Sequence, residues 1–179
     1  SYAANLERAA RAVPPQPADP PADRMQPLEQ IHTPDCPGIE DVCALLKIQP
    51  SQMIKTLVYE ISAPAVGKPP AGFVVVCVRG DHEVNENKLK RLCADKSLVM
   101  ANPTAARGAG FAIGYVGPHI ANQKPATLVI DPDARALVDA VTGANRVDHH
   151  VKGFNWTRDL AKDALGRVVI ADVRNVVEG

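Results

Sequence analysis

Residues 52–61 of this 179-residue chain read Gln-Met-Ile-Lys-Thr-Leu-Val-Tyr-Glu-Ile, which is the alternation of a β-strand. Side chains along a strand point alternately to its two faces. The odd-numbered positions from 53 to 61 therefore form an apolar face, on which Lys55 is the one charged residue. Lysine can lay its stem along apolar surface and carry its ammonium to water, or it can stand at a pocket wall and meet a phosphate or carbonyl oxygen. The chemistry of the residue leaves both interpretations open.

Helical and strand patterns alternate irregularly around this stretch. Helices are predicted over residues 38–48, 85–93 and 103–108, and strands over residues 54–61, 73–79, 97–100, 113–116, 126–130, 147–152 and 168–172, while residues 134–141 fit either. The strand at 73–79 is apolar throughout, which is typical of a central strand. Hairpin-length gaps late in the chain favour an α+β domain with a mixed sheet over a doubly wound one.

The chain is predicted to contain one globular unit between two flanking segments. Residues 1–27 combine a helical pattern with a proline-rich run at 14–21, which is typical of an extended linker. The globular unit is expected over residues 28–165, and residues 166–179 follow it. A chain of this length can bury a substantial core.

Composition argues against several classes of protein. With 46% apolar residues the chain is not disordered as a whole, and its apolar runs are too short to span a bilayer. The charged N-terminus does not resemble a signal peptide, and four cysteines without CxxC spacing indicate free thiols, with the cytoplasm as the default location. Lys and Arg number 20, as do Asp and Glu, so any nucleic-acid contact is expected to be local or shared with another domain.

The sequence has no P-loop and no GxGxxG, so motifs for nucleotide hydrolysis and nicotinamide binding are missing. It also has no HExxH and no GxSxG. After the central strand, Asp81 and His82 in Arg79-Gly80-Asp81-His82-Glu83 could supply acid–base groups. Successive residues of an extended segment point apart, so the three ionisable residues 81–83 cannot all meet on one metal. A polar loop capping the next helix is the plainer interpretation.

A second candidate is the loop Gly114-Tyr115-Val116-Gly117-Pro118. Its glycines permit positive φ and close backbone approach, and its proline fixes the exit of the turn. Exposed N–H groups in such a loop can bind an ester carbonyl or a carboxylate. A tight turn without a binding role explains the same residues.

A third candidate is Asp148-His149-His150. In a strand the two histidines face opposite sides, so at most one of them enters a pocket. No further histidine or cysteine lies at the spacing that a zinc site needs. A single histidine could donate a hydrogen bond to a polar substrate or serve the structure alone.

Five short segments, taken in order, carry a resemblance to a known family: His32-Thr33-Pro34, Ile54–Tyr59, Arg79–Asn85 followed by Lys88-Leu89, Gly114-x-x-x-Pro118, and Gly143-Ala144-Asn145 followed by His150. They closely resemble the editing insertion domain of bacterial-type prolyl-tRNA synthetases, within the wider YbaK-like family of aminoacyl-tRNA deacylases. The resemblance covers about residues 28–159. Residues 2–5 and 171–179 resemble synthetase sequence on either side of that insert, so the chain is interpreted as an insert with its flanks.

The resemblance implies a mixed, strongly curved sheet, forming a partly open barrel flanked by helices. It implies hydrolysis of the ester of alanyl-tRNA(Pro), with the catalytic roles on Lys55, Gly114 and His150. It further implies substrate-binding roles for the remaining loop residues and, as second choices, for two residues of the earlier loop: Tyr115, Val116, Gly117, Pro118, Asp81 and His82. Residues 166–179 would return toward the synthetase catalytic domain.

An aminoacyl ester is already activated, so a positioned water and a polarised carbonyl can suffice without a metal, a cofactor or a protein nucleophile. ATP and Mg²⁺ would serve only the parent synthetase domain. The expected partners are the 3′ aminoacyl end of tRNA(Pro) and the rest of the synthetase, with no membrane. Two departures from the family pattern, His119-Ile120 and the glycine-rich residues 107–110, affect pocket size. The alternatives are therefore cysteinyl-tRNA(Pro) as substrate, or a non-catalytic insert that docks the acceptor end.

Overall fold

The computed structural model describes residues 19–62, 70–93 and 97–176. The strands are β1 (Glu29–His32), β2 (Ile54–Ile61), β3 (Gly72–Arg79), β4 (Leu98–Met100), β5 (Thr127–Ile130), β6 (Ala140–Gly143), β7 (His149–Phe154) and β8 (Val168–Ile170). The helices are α1 (Ile39–Leu46), α2 (Glu86–Leu92), α3 (Pro103–Gly108), α4 (Pro132–Arg135), α5 (Trp156–Asp159) and α6 (Lys162–Leu165), with 3₁₀ turns at Ala22–Arg24, Pro50–Gln52 and Pro118–Asn122. The helical pattern expected before residue 14 and most of the proline-rich run lie outside the described residues.

The strands divide between two sheets. A five-stranded sheet has the order β4-β2-β3-β5-β8, and a three-stranded sheet has the order β1-β7-β6. β3 is antiparallel to β2 and parallel to β5, which is parallel to β8. The mixed α+β fold and the central place of residues 73–79 are therefore confirmed. The partly open barrel is not confirmed, because the strands form two sheets that meet where an isolated parallel bridge pairs Met53 with Val141.

Both faces of the five-stranded sheet are covered. The even-numbered Ile54 and Val58 of β2 pack in the larger core with Trp156, whereas the odd-numbered Tyr59 packs with Leu89 of α2 in a second core. The alternation predicted for β2 is therefore present. Because the opposite face is buried as well, neither face of β2 offers Lys55 a simple solvated position.

Besides the short helices α5 and α6, which were not predicted, three parts of the chain differ from the predicted pattern or resolve it. Residues 113–116 form a turn and not a strand, because Gly114 has a φ of +92° and the Tyr115 N–H bonds back to the Ala112 carbonyl at 2.8 Å. Residues 134–141 contain the end of α4 and the start of β6, separated by Asp139 with a φ of +50°. β1 was not predicted; it is short, mostly exposed, and defined by pairing with β7.

Within the described parts of the chain, every helix is too short or too polar to cross a bilayer.

Candidate functional site

A cavity of about 300 Å³ opens along one edge of β2. Its walls come from β2, from the segment before α1, from the turn at 113–116 and from the ends of β6 and β7. Lys55, Gly114 and His150 all line it, although they lie far apart in sequence. The volume is at the small end of the range for ligand pockets, roughly 300 to 1,000 Å³. The cavity is therefore matched to a small group such as an amino acid.

The edge of β2 that faces this cavity is only partly covered by other strands. β3 pairs with all of β2, but β4 reaches only its last three residues. The Ile54 carbonyl accepts a hydrogen bond from Thr142 Oγ1 at 3.0 Å. The Val58 carbonyl accepts one from the Ala101 N–H at 3.0 Å. Both carbonyls therefore point away from β3, and so do the N–H and C=O of Thr56, which lies between them.

Thr56 lines the cavity at the gap between these two contacts. Among the described residues, neither its backbone N–H nor its carbonyl has a hydrogen-bonding partner. The backbone thus offers one donor and one acceptor side by side, in the arrangement that an adjacent strand would use. Backbone polar groups are normally paired, so this pair is suited to a ligand that carries the complementary groups.

Lys55 places its stem in the cavity wall and its charged end at the rim. Its side chain is only 16% exposed, and Nζ lies 2.7 Å from Oε1 of Glu83, which is 75% exposed. The same rim carries three further carboxylates, from Glu40, Asp41 and Asp81. Ion pairs with such exposed carboxylates are weak. Glu83 can therefore leave Lys55 at small cost.

His150 is enclosed and neutral. Its side chain is 4% exposed, and Nδ1 lies 2.7 Å from the buried Thr33 Oγ1. The ring of Tyr115 meets it edge-on at 5.6 Å between centroids. Burial lowers the pKa of His150 to about 4, so the imidazole is uncharged at neutral pH. Its neighbour His149 does not line the cavity, and its Nδ1 lies 2.8 Å from the Val147 carbonyl oxygen.

This burial predicts a pH-dependent stability. The ordinary pKa of histidine is 6.5, and that of His150 in the folded chain is about 4. Between these two pH values His150 is protonated in the unfolded chain and neutral in the folded one. The stabilising contribution of the neutral ring is thus complete above pH 6.5 and is lost as the pH falls toward 4. From about pH 7.5 to about pH 5, the wild-type free energy of unfolding should fall by about 2 kcal/mol more than that of His150→Asn. Urea titrations at both pH values provide the measurement.

His149, the half-buried neighbour of His150, provides a matched control. His149→Asn should retain the full pH dependence of the wild type, because the ring of His149 is not enclosed. An equal loss of stability in wild type and in His150→Asn would show that His150 is not held in the neutral form.

The loop 114–118 is fixed to the turn after β6 by contacts between backbones. A Cβ on Gly117 would overlap the carbonyl oxygen of Gly143, and a Cβ on Gly143 would overlap the carbonyl of Tyr115. Asn145, at a φ of +58°, accepts the Gly117 N–H through Oδ1 at 2.8 Å, and its N–H donates to the Tyr115 carbonyl at 2.8 Å. The two glycine-containing motifs therefore form one rigid unit.

Two of the five loop residues face the cavity. Gly114 and Val116 line it, whereas Tyr115, Gly117 and Pro118 do not. The Tyr115 hydroxyl donates to Asp148 Oδ1 at 2.8 Å, and burial together with this bond raises the pKa of Tyr115 to about 12. These three residues lie behind the cavity wall and hold the loop in position.

Asp81 and His82 also lie outside the cavity. Arg79 binds the Asp81 carboxylate with two hydrogen bonds, of 2.6 and 2.9 Å, and this contact lowers the pKa of Asp81. The same guanidinium lies 3.1 Å from His82 Nε2. Asp81 contributes only to the rim beside Lys55. The two residues form part of an ionic network behind the site.

One group in the described chain has the spacing of metal ligands. Atoms of His82, Asp131 and Asp133 lie within 4.8 Å of one another. Arg174 Nε is 3.2 Å from Asp133 Oδ2, and Arg79 contacts His82. These guanidinium groups already supply positive charge to the cluster, and none of its three members lines the cavity. The residues present therefore fit an ionic network better than a metal site.

The sequence patterns assigned no individual role to four residues that shape the site: Thr33, Thr56, Glu83 and Asn145. The motifs that contain them are visible in the sequence, but the contacts are not. Thr33 meets His150 across 117 positions, and the open backbone at Thr56 depends on where β4 and β6 end. Only the positive φ of Asn145, which follows Gly-Ala, could have been anticipated, because Asn tolerates the left-handed region better than most residues.

Comparison with known proteins gives a consistent result. The family model described as the aminoacyl-tRNA editing domain matches residues 33–160. The proline–tRNA ligase of Xanthomonas oryzae is 38% identical over 179 residues, which is 99% of this chain and 29% of the ligase. The ligase of Herminiimonas arsenicoxydans is 38% identical, over 99% of this chain and 30% of the ligase. The chain thus spans less than a third of the length of these relatives.

Two solved structures are similar in fold. The hypothetical protein APE2540 gives a TM-score of 0.65 at 24% identity, covering 83% of this chain and 92% of that one. A candidate trans-editing enzyme for prolyl tRNA synthetase gives a TM-score of 0.64 at 20% identity, covering 83% and 87%. At these identities the likeness concerns the fold.

Proposed function

Because the chain belongs to the aminoacyl-tRNA editing domain family, we propose that its cavity hydrolyses the ester of mischarged alanyl-tRNA(Pro). The observation that supports this proposal is the meeting of Lys55, Gly114 and His150 on one small cavity. The need for such an activity is physical. A proline-binding site cannot strongly reject the smaller alanine, since a missing methylene changes binding by only about 1–3 kcal/mol. A second site that admits alanine but not proline restores accuracy.

The open edge at Thr56 provides a place for the aminoacyl group. An aminoacyl ester carries an amino group, a Cα and a carbonyl in the same order as a residue in a strand. It can therefore pair with Thr56 as a neighbouring strand residue would, with the Thr56 N–H donating to the ester carbonyl and the Thr56 carbonyl accepting from the α-ammonium. Val58 and Ile113 line the same cavity and would contact the methyl group.

The remaining site residues act on the two ends of the ester. Lys55 leaves Glu83 and binds a phosphate of the terminal nucleotide, which fixes the tRNA 3′ end at the rim. The loop at Gly114 closes the opposite wall and restricts the space for a larger side chain. His150 contacts the carbonyl oxygen or the terminal ribose.

Hydrolysis then proceeds by attack of water on the carbonyl carbon. The water oxygen forms a bond to that carbon, the bond from carbon to the ribose oxygen breaks, and the proton of the water goes to the leaving oxygen. The neighbouring ribose hydroxyl orients the water and relays this proton: it accepts the proton from the water while its own proton passes to the leaving ribose oxygen. The second proton of the water is released when the carboxyl group of the product ionises. The products are alanine and a tRNA with a free 3′ end, and the scheme uses positioning and electrostatic stabilisation without a protein nucleophile or a metal.

The zero formal net charge is consistent with a domain that holds only the CCA end. In this proposal residues 28–165 are the editing unit, and residues 1–27 and 166–179 connect it to the rest of a cytoplasmic prolyl-tRNA synthetase, which binds the tRNA body and alone uses ATP and Mg²⁺. Part of the second connection, β8, adds a strand to the editing unit through its pairing with β5.

The test is hydrolysis of three substrates, Ala-, Cys- and Pro-tRNA(Pro), by the chain and by the full-length synthetase that contains it. We expect the full-length protein to release alanine well above the spontaneous rate and to spare Pro-tRNA(Pro). The isolated chain should be slower, because it lacks the surface that binds the tRNA body. Faster release of cysteine would assign a different specificity to the same site. No release of any amino acid by the full-length protein would contradict hydrolysis and leave a docking role.

A further inference from the structure

The buried hydroxyl of Thr33 has one partner in the described chain, the Nδ1 atom of His150 at 2.7 Å. Thr33 is fully buried, and its own N–H donates to the Asp148 carbonyl at 2.7 Å, so the residue is held beside the ring. A neutral histidine carries one ring N–H, and the threonine carries one O–H. The contact between them can therefore be made in two ways, which leave different atoms facing the cavity.

Counting protons distinguishes the two arrangements. If Nδ1–H donated to Thr33 Oγ1, the hydroxyl proton would need another acceptor, and none lies within reach among the described residues. A buried donor without a partner is unfavourable. If the hydroxyl donates to Nδ1, both buried groups are satisfied and the ring proton lies on Nε2. We propose that Thr33 is a positioning residue that fixes His150 as its Nε2–H tautomer.

The tautomer decides what His150 can do in the cavity. Within the described chain, His150 Nε2 has no hydrogen-bonding partner. This nitrogen is not fully buried, and the residue lines the cavity, so Nε2 is accessible to a ligand. As Nε2–H it donates to an oxygen of the substrate and cannot accept a proton from water. Building on the function proposed above, His150 therefore holds the carbonyl or ribose oxygen, and deprotonation of the water falls to the substrate.

The tautomer can be measured without reference to activity. In the full chain labelled with ¹⁵N-histidine, long-range ¹H–¹⁵N correlation spectra at neutral pH should show His150 Nδ1 as the unprotonated nitrogen and Nε2 as the protonated one. Thr33→Val removes the hydroxyl with little change of shape and should shift both nitrogens toward a mixture of tautomers. Thr33→Ser should restore the wild-type pattern. Thr142→Val, which removes another fully buried hydroxyl, bonded to Ile54, should leave the pattern unchanged.

The same variants give a second readout in deacylation. We expect Thr33→Val to lower kcat for Ala-tRNA(Pro) about tenfold, the factor expected for one ordinary hydrogen bond, with KM changed less and Thr33→Ser close to wild type. A protonated Nδ1 in the wild type, or a tautomer that Thr33→Val does not alter, would overturn the inference. If the tautomer is as expected and the wild type hydrolyses no aminoacyl-tRNA, the proposed function fails and the role of Thr33 stands.

Discussion

Replacing Lys55 with alanine is expected to lower kcat/KM for Ala-tRNA(Pro) by about ten- to a hundredfold, since a hydrogen bond to a charged group contributes about 1.5–3 kcal/mol. The stem of Lys55 lies in the cavity wall, and among the described residues its ammonium is held by the exposed Glu83. Loss of that pair costs little stability, because ion pairs with exposed partners contribute at most about 1 kcal/mol. The variant should therefore fold normally and fail in substrate binding. Steady-state deacylation and a thermal melt measure the two effects.

The chain offers a matched control for Lys55. Like Lys55, Lys152 on β7 forms an ion pair with a glutamate: its Nζ lies 2.9 Å from Oε2 of Glu29 on β1. Lys152 does not line the cavity. Lys152→Ala should hydrolyse Ala-tRNA(Pro) at the wild-type rate. Unchanged rates and an unchanged preference among the three aminoacyl-tRNAs in Lys55→Ala would remove Lys55 from the site.

Replacing Gly143 with alanine is expected to lower the free energy of unfolding by about 1–3 kcal/mol, the usual cost of forcing an extra methyl group into a packed interior. The added Cβ would overlap backbone atoms of Tyr115 and Val116, which cannot move aside as a flexible side chain would. The loop at Gly114 must then separate from the turn after β6, so hydrolysis should be lost together with stability. Urea unfolding followed by the fluorescence of the buried Trp156 measures the stability change.

Gly108, in the last turn of α3, is the control for this substitution. A Cβ at Gly108 would meet nothing within 4 Å. Gly108→Ala should be neutral or stabilising by up to about 1 kcal/mol, because alanine favours the helix over glycine. Equal unfolding free energies for Gly143→Ala and Gly108→Ala would show that the backbone contact between the two motifs is not tight.

Local patterns predicted the elements that depend on local chemistry. The alternation in residues 54–61 identified β2 and placed Lys55 on the same face as Tyr59, and the uniform apolar run before Arg79 identified the central strand. Residues 113–116 carry the pattern of a strand but form a turn, since Gly114 adopts a positive φ that the pattern does not reveal. β1 could not be found locally, because its residues are exposed and its pairing partner lies more than 110 positions away.

Local sequence patterns predicted only part of the candidate site. Alternation showed that at most one of His149 and His150 enters a pocket, and burial in the fold selects His150. The resemblance named Lys55 and the loop at Gly114, and the structure brings them to the same cavity. The donor and acceptor at Thr56 arise from strands that stop short of one another, which is a property of the folded sheet and not of any residue type.

In the proposed function, the cavity beside β2 receives the aminoacyl end of a tRNA. A stable substrate analogue tests this placement without relying on hydrolysis. An acceptor-stem RNA that carries alanine through an amide in place of the ester cannot be hydrolysed and can be titrated into the ¹⁵N-labelled chain. We predict that the amide resonances of Thr56 and Gly114 and the ring nitrogens of His150 shift on binding, and that the proline-linked analogue shifts them much less. Saturable binding with shifts confined to residues outside the cavity would contradict this placement.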